Sequence, residues 1–179
     1  MVTVLSKNIL RLWLKLLKKL FQTYSWKKSR KIKVIEEREY ASRKDLHVKI
    51  IKLLATLYFE EPVGNIEKYV EKCIRDRERR RIYVLMVDRQ VCGVAIFNII
   101  EGKIASLMEI VVHPRRRGYG TIFLEMLKER FRREGINRIT VPVIVSNEEI
   151  RCFYLKNGFK KTAHGGMELD LEEYAPNCY

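Results

Sequence analysis

Between residues 82 and 112 the chain carries three β-rich runs, 82–87, 91–100 and 104–112, joined only through Asp88-Arg89 and Glu101-Gly102-Lys103. Connectors that short join antiparallel neighbours, because a parallel return needs a crossover of a dozen residues or more. The three runs are expected to form an antiparallel meander of two hairpins. Upstream lie a short strand signal at Ile32, Val34 and Ile35 and a helical repeat of apolar positions over 43–58 (Leu46, Ile50, Leu53, Leu54, Leu57). Glu60-Glu61-Pro62-Val63-Gly64 reads as a loop, and Asn65 is placed to cap a second helix reaching about Arg79. Downstream come a helix over 118–134 closed by Gly135, a strand over 139–145 and a helix over 147–157. A last hairpin over 159–171 turns at His164-Gly165-Gly166. The order β-α-α-β-β-β-α-β-α-β-β calls for an α/β fold of mixed α+β type: a mixed, mostly antiparallel sheet of about seven strands with helices on both faces.

Charge divides the chain differently. Of 36 Lys and Arg, ten lie in residues 1–33 with no Asp or Glu among them, whereas the remaining 146 residues carry 26 basic and 22 acidic side chains. The basic excess therefore belongs to an N-terminal extension, 1–30. On a helical wheel residues 5–24 separate into a basic arc (Lys7, Arg11, Lys15, Lys18, Lys19) and an apolar arc with Leu10, Trp13, Leu16, Leu17, Leu20 and Phe21. Such a helix docks on its own domain or a second copy, lies in a membrane interface, or fills a partner's groove. Attraction of its charge to nucleic acid would not be sequence-specific. No run reaches the ~18 apolar residues of a membrane span, and the basic residues interrupt any signal-peptide core. Cys73, Cys92, Cys152 and Cys178 form no paired spacing. A cytoplasmic protein, membrane-peripheral at most, is expected.

Two segments carry chemistry. Arg115-Arg116-Arg117-Gly118-Tyr119-Gly120 links a hydrophobic strand to an amphipathic helix. Glycine lets the backbone turn tightly and approach a ligand, and the helix N-terminus beyond offers amides and a positive dipole end to a phosphate. The same residues also describe an ordinary basic turn. The second segment, Asn147 to Phe159, has a capping Asn, Tyr154 two turns later on nearly the same face, and Gly158 at the helix end.

Together these segments resemble the GNAT acetyltransferase superfamily. Arg115, Gly118 and Gly120 match its R/Q-x-x-G-x-G/A motif, and Asn147, Tyr154, Gly158 and Phe159 match its N-x-x-A-x-x-x-Y-x-x-x-G-F helix, with Ile150 in place of the alanine. The resemblance spans roughly 31–172, leaving 173–179 as a tail. It implies acetyl-coenzyme A as co-substrate and a primary amine as acceptor. The strand ending at Val111-Val112 would pair with the pantetheine arm, and the pyrophosphate would sit on the N–H groups of Arg116, Arg117, Gly118, Tyr119, Gly120 and Thr121. Asn147 would orient the pantetheine or a water, and Tyr154 would protonate the departing thiolate. The alternative for Tyr154 is a helix tyrosine packed on the sheet.

Acyl transfer also needs a base. Glu109 is the ionisable residue of the strand 104–112, expected on one face with Ala105, Leu107 and Val111; it either takes the amine's proton or merely attracts a cation. Glu60 and Glu61 sit where the family lines its acceptor site, so they are candidates for drawing an amine in. His113 belongs to a turn, His47 and His164 have no companions at ligand spacing, and no metal site is expected. Cys152 reads as a small core residue. The competing function is a non-catalytic acetyl-CoA-binding module, tethered by the basic helix. Retention of Tyr154, Asn147 and both glycines favours the enzyme.

Overall fold

The computed structural model describes residues 31–40, 44–58, 60–142 and 147–173. The amphipathic segment 5–24, the end of the strand expected over 139–145 and most of the tail lie outside them.

The meander forms as read. β1 (Ile32–Glu36) precedes it, and β2 (Arg80–Val87), β3 (Gln90–Ile100) and β4 (Ile104–Val112) follow one another antiparallel. Asp88 and Arg89 both take positive φ, 49° and 69°, the geometry of a two-residue turn whose twist matches the strands. β5 (Arg138–Val141), β6 (Lys160–Lys161) and β7 (Met167–Asp170) complete a seven-stranded sheet in the order β1-β2-β3-β4-β5-β7-β6. β4 with β5 is its parallel pair; the others are antiparallel.

Helices cover both faces because both faces are apolar. α1 (Lys44–Leu54) and α2 (Val63–Arg75) bury Ile50, Leu54 and Val70 against Val84, Val94 and Ile96. On the other side α3 (Tyr119–Arg133) and α4 (Glu148–Lys156) close over Phe97, Leu107 and Ile139 with Phe123, Leu127 and Phe131. Arg130 ties α3 to the first strand, its Nη2 donating to Glu36 Oε2 at 3.1 Å and to Glu39 Oε1 at 3.0 Å.

Two details differ from expectation. α2 starts at Val63, not after Asn65: Pro62 (φ −58°) holds the cap position, and Asn65 N–H already donates to Pro62 O at 2.9 Å. Asn65 spends its side-chain amide on Glu61 instead, at 3.1 Å. The second difference reaches the site. Ile96 pairs with Glu109 but Phe97 pairs with Leu107, so Met108 is an extra residue bulged out of β4. The bulge reverses the alternation. Ala105 and Leu107 belong to the α3–α4 core, whereas Val111 belongs to the α1–α2 core. Glu109 therefore shares a face with Val111 but not with Ala105 and Leu107, and turns toward α1 and α2.

Candidate active site

β4 runs against β3 along its whole length but against β5 only through Ile104, Ala105 and Ser106. From Leu107 onward its other edge has no strand partner among the described residues. The strands splay, and the opening is a cavity of about 670 Å³. Residues 107–112 form one wall; Val141, Gly120 and the α4 side chains Asn147, Ile150, Phe153 and Tyr154 form the other. Unpaired backbone amides and carbonyls along such an edge are ready to pair with an extended ligand.

The loop below the cavity is shaped for close approach to an anion. Gly118 sits at the cap of α3 with φ 75°, a left-handed conformation that favours glycine. The first helical rung is Ile122 N–H to Gly118 O, at 3.1 Å. The amides of Gly120 and Thr121 ahead of it have no carbonyl one turn back inside the helix. Arg115 lines the cavity. Arg116 and Arg117 are exposed and line no part of it; Arg116 meets Glu149 at 3.5 Å, both solvated. Tyr119 is 2% exposed and packs in the core, leaving only its backbone to the loop. Gly120 has a neighbour of its own: a β-carbon there would stand 3.0 Å from Phe153 Cε2.

Asn147 caps α4 as its position demands, its side-chain oxygen accepting from Glu149 N–H at 2.9 Å and Ile150 N–H at 3.2 Å. That cap holds the helix so that Tyr154, two turns on, faces the same cavity. Tyr154 is 4% exposed, its ring edge-on to Phe153 and Phe159 at 5.3 and 5.2 Å. Burial, and then the charge of Glu109, push its phenol up to about 12, so it holds its proton at any physiological pH. Glu109 lines the cavity from the strand side. Burial raises its carboxyl above the ordinary range, opposed by a hydrogen bond from Tyr58.

Half of the residues named from the sequence line one cavity: Glu109, Val111, Val112, Arg115, Gly120, Asn147 and Tyr154; Arg116, Arg117, Gly118, Tyr119 and Thr121 belong to the loop and helix start beside it. Glu60 and Glu61 do not line it. Both are exposed on the loop after α1, and Glu61 is engaged by Asn65. The wall also has members that sequence reasoning missed. Met108 reaches it because of the bulge, Leu57 from the end of α1, and Ile150 as a lining residue rather than as packing. Tyr58, which reaches Glu109 without lining the cavity, had no signal beyond the end of an apolar stripe. Among the described residues no three His, Cys, Asp or Glu side chains gather as a metal site, and no helix is long and apolar enough to cross a membrane.

Comparison with known proteins gives the family and the fold. The sequence model of the acetyltransferase (GNAT) family matches residues 49–159. The chain belongs to the GNAT family of acetyltransferases, and is an acyltransferase by that membership. Its fold matches the Campylobacter jejuni N-acetyltransferase PseH in complex with acetyl coenzyme A at 19% identity and TM-score 0.59, covering 78% of this chain and 99% of that one. The PaiA N-acetyltransferase of Thermoplasma acidophilum, in complex with coenzyme A, matches at 19% identity and TM-score 0.55 over the same shares. A variant of the Vibrio cholerae spermidine N-acetyltransferase SpeG matches at 16% identity and TM-score 0.60, covering 81% and 95%. No curated protein matches in sequence.

Proposed function

We propose that this protein moves an acetyl group from acetyl-CoA to a primary amine by direct attack within a ternary complex, the acceptor being an amine of a protein or peptide. One observation carries the reading: the edge of β4 that has no strand partner among the described residues leads into a cavity lined by Glu109 and Tyr154 from opposite walls. That edge suits an extended, amide-bearing pantetheine arm. Gly118, Gly120, Thr121 and Arg115 suit the pyrophosphate at the loop end. The structures in complex with acetyl coenzyme A and coenzyme A share this fold.

Acetyl-CoA supplies the activated thioester carbonyl; the protein supplies position and protons. Glu109 accepts a proton from the incoming amine, directly or through water, as its nitrogen bonds to the carbonyl carbon. A backbone N–H near Val111 donates to the thioester oxygen as charge gathers there. Tyr154 donates its proton to the sulfur as the C–S bond breaks. The two groups are linked electrostatically, since the Glu109 charge is one reason the Tyr154 phenol is weak. Once Glu109 has taken a proton that charge is gone, and Tyr154 becomes the stronger acid when it is needed.

The test is release of free thiol from acetyl-CoA against a panel of amines: peptides with free N-termini, lysine peptides, polyamines and small amino compounds. Release with the peptide amines is expected. Silence across the panel, with acetyl-CoA still bound, would assign the chain to acetyl-CoA holding rather than transfer.

A further inference from the structure

Glu109 is met by a side chain 51 residues away in sequence: the Tyr58 hydroxyl donates to its Oε1. Tyr58 stands just past α1 on a turn that is itself tied down. Leu57 N–H donates to Leu54 O at 2.8 Å, Thr56 Oγ1 to Leu53 O at 2.7 Å, and Tyr58 O accepts from Glu61 N–H at 2.9 Å. The ring is half-buried against the α1–α2 core. Burial, followed by the bond to Glu109 and its charge, raises the phenol above its ordinary range, so it stays a donor.

The other titratable groups around Glu109 do not take its place. Tyr69 and Cys73 approach from α2; burial, then Cys73 and Glu109, raise the Tyr69 phenol. Tyr154 approaches from α4, and exposed Arg115 and Glu149 line the same cavity. Among the described residues the influences on Glu109 are burial, which favours its neutral acid, and the Tyr58 bond, which favours the carboxylate. Without such a donor, burial alone would set the balance, and the carboxyl would give up its proton only at higher pH.

We propose that Tyr58 is the positioning residue of this site, its hydroxyl holding Glu109 by Oε1 so that Oε2 is left to meet the amine or its water. The proposal rests on Glu109 being the base. It places acceptor-side control in the turn after α1, through Tyr58 rather than through Glu60 or Glu61. Loss of a hydrogen bond to a charged group is expected to lower kcat/KM near neutral pH about tenfold or more, with recovery at higher pH.

The direct test is a carbon-13 NMR titration of glutamate side-chain carboxyls in the full chain, with Glu109 assigned by its loss in Glu109→Gln. In Tyr58→Phe, which keeps the ring in its packing, the Glu109 midpoint is expected to move to higher pH. Thr56→Ala, in the same turn, is expected to leave it in place. An unmoved midpoint in Tyr58→Phe overturns the role of Tyr58, whatever the kinetics. A moved midpoint together with undiminished turnover in Glu109→Gln overturns the base instead.

Discussion

Tyr154 and Glu109 carry the account at the scale of the residue, and their environments set their ionisation. Replacing Tyr154 by Phe removes only a hydroxyl from a ring held between Phe153 and Phe159. Turnover is expected to fall roughly a hundredfold, the ordinary worth of a general acid, while acetyl-CoA affinity by calorimetry stays near the parent's. Undiminished turnover would take Tyr154 out of the mechanism. The pH profile is a second handle. A base must be ionised, so activity is lost as pH falls through the Glu109 midpoint, which burial lifts above the usual carboxylate range. An acidic limb above that range, absent in Glu109→Gln, is expected. Tyr154, raised to about 12, should add no alkaline limb below that. Both residues were legible in the sequence, Tyr154 from its register with Asn147 and Gly158, Glu109 as the ionisable group of its strand. The side Glu109 faces was not, because strict alternation cannot reveal that Met108 is bulged. Tyr58 was invisible for a related reason: a phenol closing an apolar stripe looks the same whether it packs or reaches across the fold.

The elements were read with few errors because their signals are local. Turn chemistry at Asp88-Arg89, Gly135 and Gly158 and periodicity in α1, α3 and α4 each place a boundary without reference to the rest of the chain. What stayed hidden is how elements meet. Lys128 of α3 is fully buried, donating to Asn157 O at 2.6 Å and Glu125 Oε1 at 2.8 Å, a contact with the far helix that no local pattern announces. It thereby ties down the end of the helix that carries Tyr154. Gly120 is the second case. The sequence suggests that it clears a path for phosphate; the structure adds that it lets α3 approach α4, since a β-carbon there meets the Phe153 ring at 3.0 Å. Gly120→Val is therefore expected to lower stability by about 1–3 kcal/mol through overpacking, as well as weakening acetyl-CoA binding. A urea midpoint equal to the parent's would show that the helices yield freely at this contact.

On the scale of the whole molecule the chain has two parts of different physical character. The sheet and its helices from residue 31 carry nearly balanced charge, whereas 1–30 combine strong basicity with an apolar arc of Leu, Trp and Phe. We propose that this segment meets anionic lipid, by apolar burial and by charge together. The full chain is expected to pellet with phosphatidylserine-containing vesicles, and to lose that affinity when Trp13 and Leu17 are replaced by Glu. Equal pelleting of parent and variant would exclude the lipid-facing role. Neither result bears on acyl transfer, whose proposed residues Glu109 and Tyr154 lie within the family-matched residues 49–159.

The central claim is that acetyl-CoA lies along the unpaired edge of β4 with its pyrophosphate at the start of α3. Hydrogen–deuterium exchange of the full chain with and without coenzyme A tests it most directly. The account predicts slowed exchange at residues 107–112 and 118–121 on adding coenzyme A, with β1 and β2 unchanged. Binding that leaves both segments exchanging as before, or that protects the α1–α2 face instead, would contradict it.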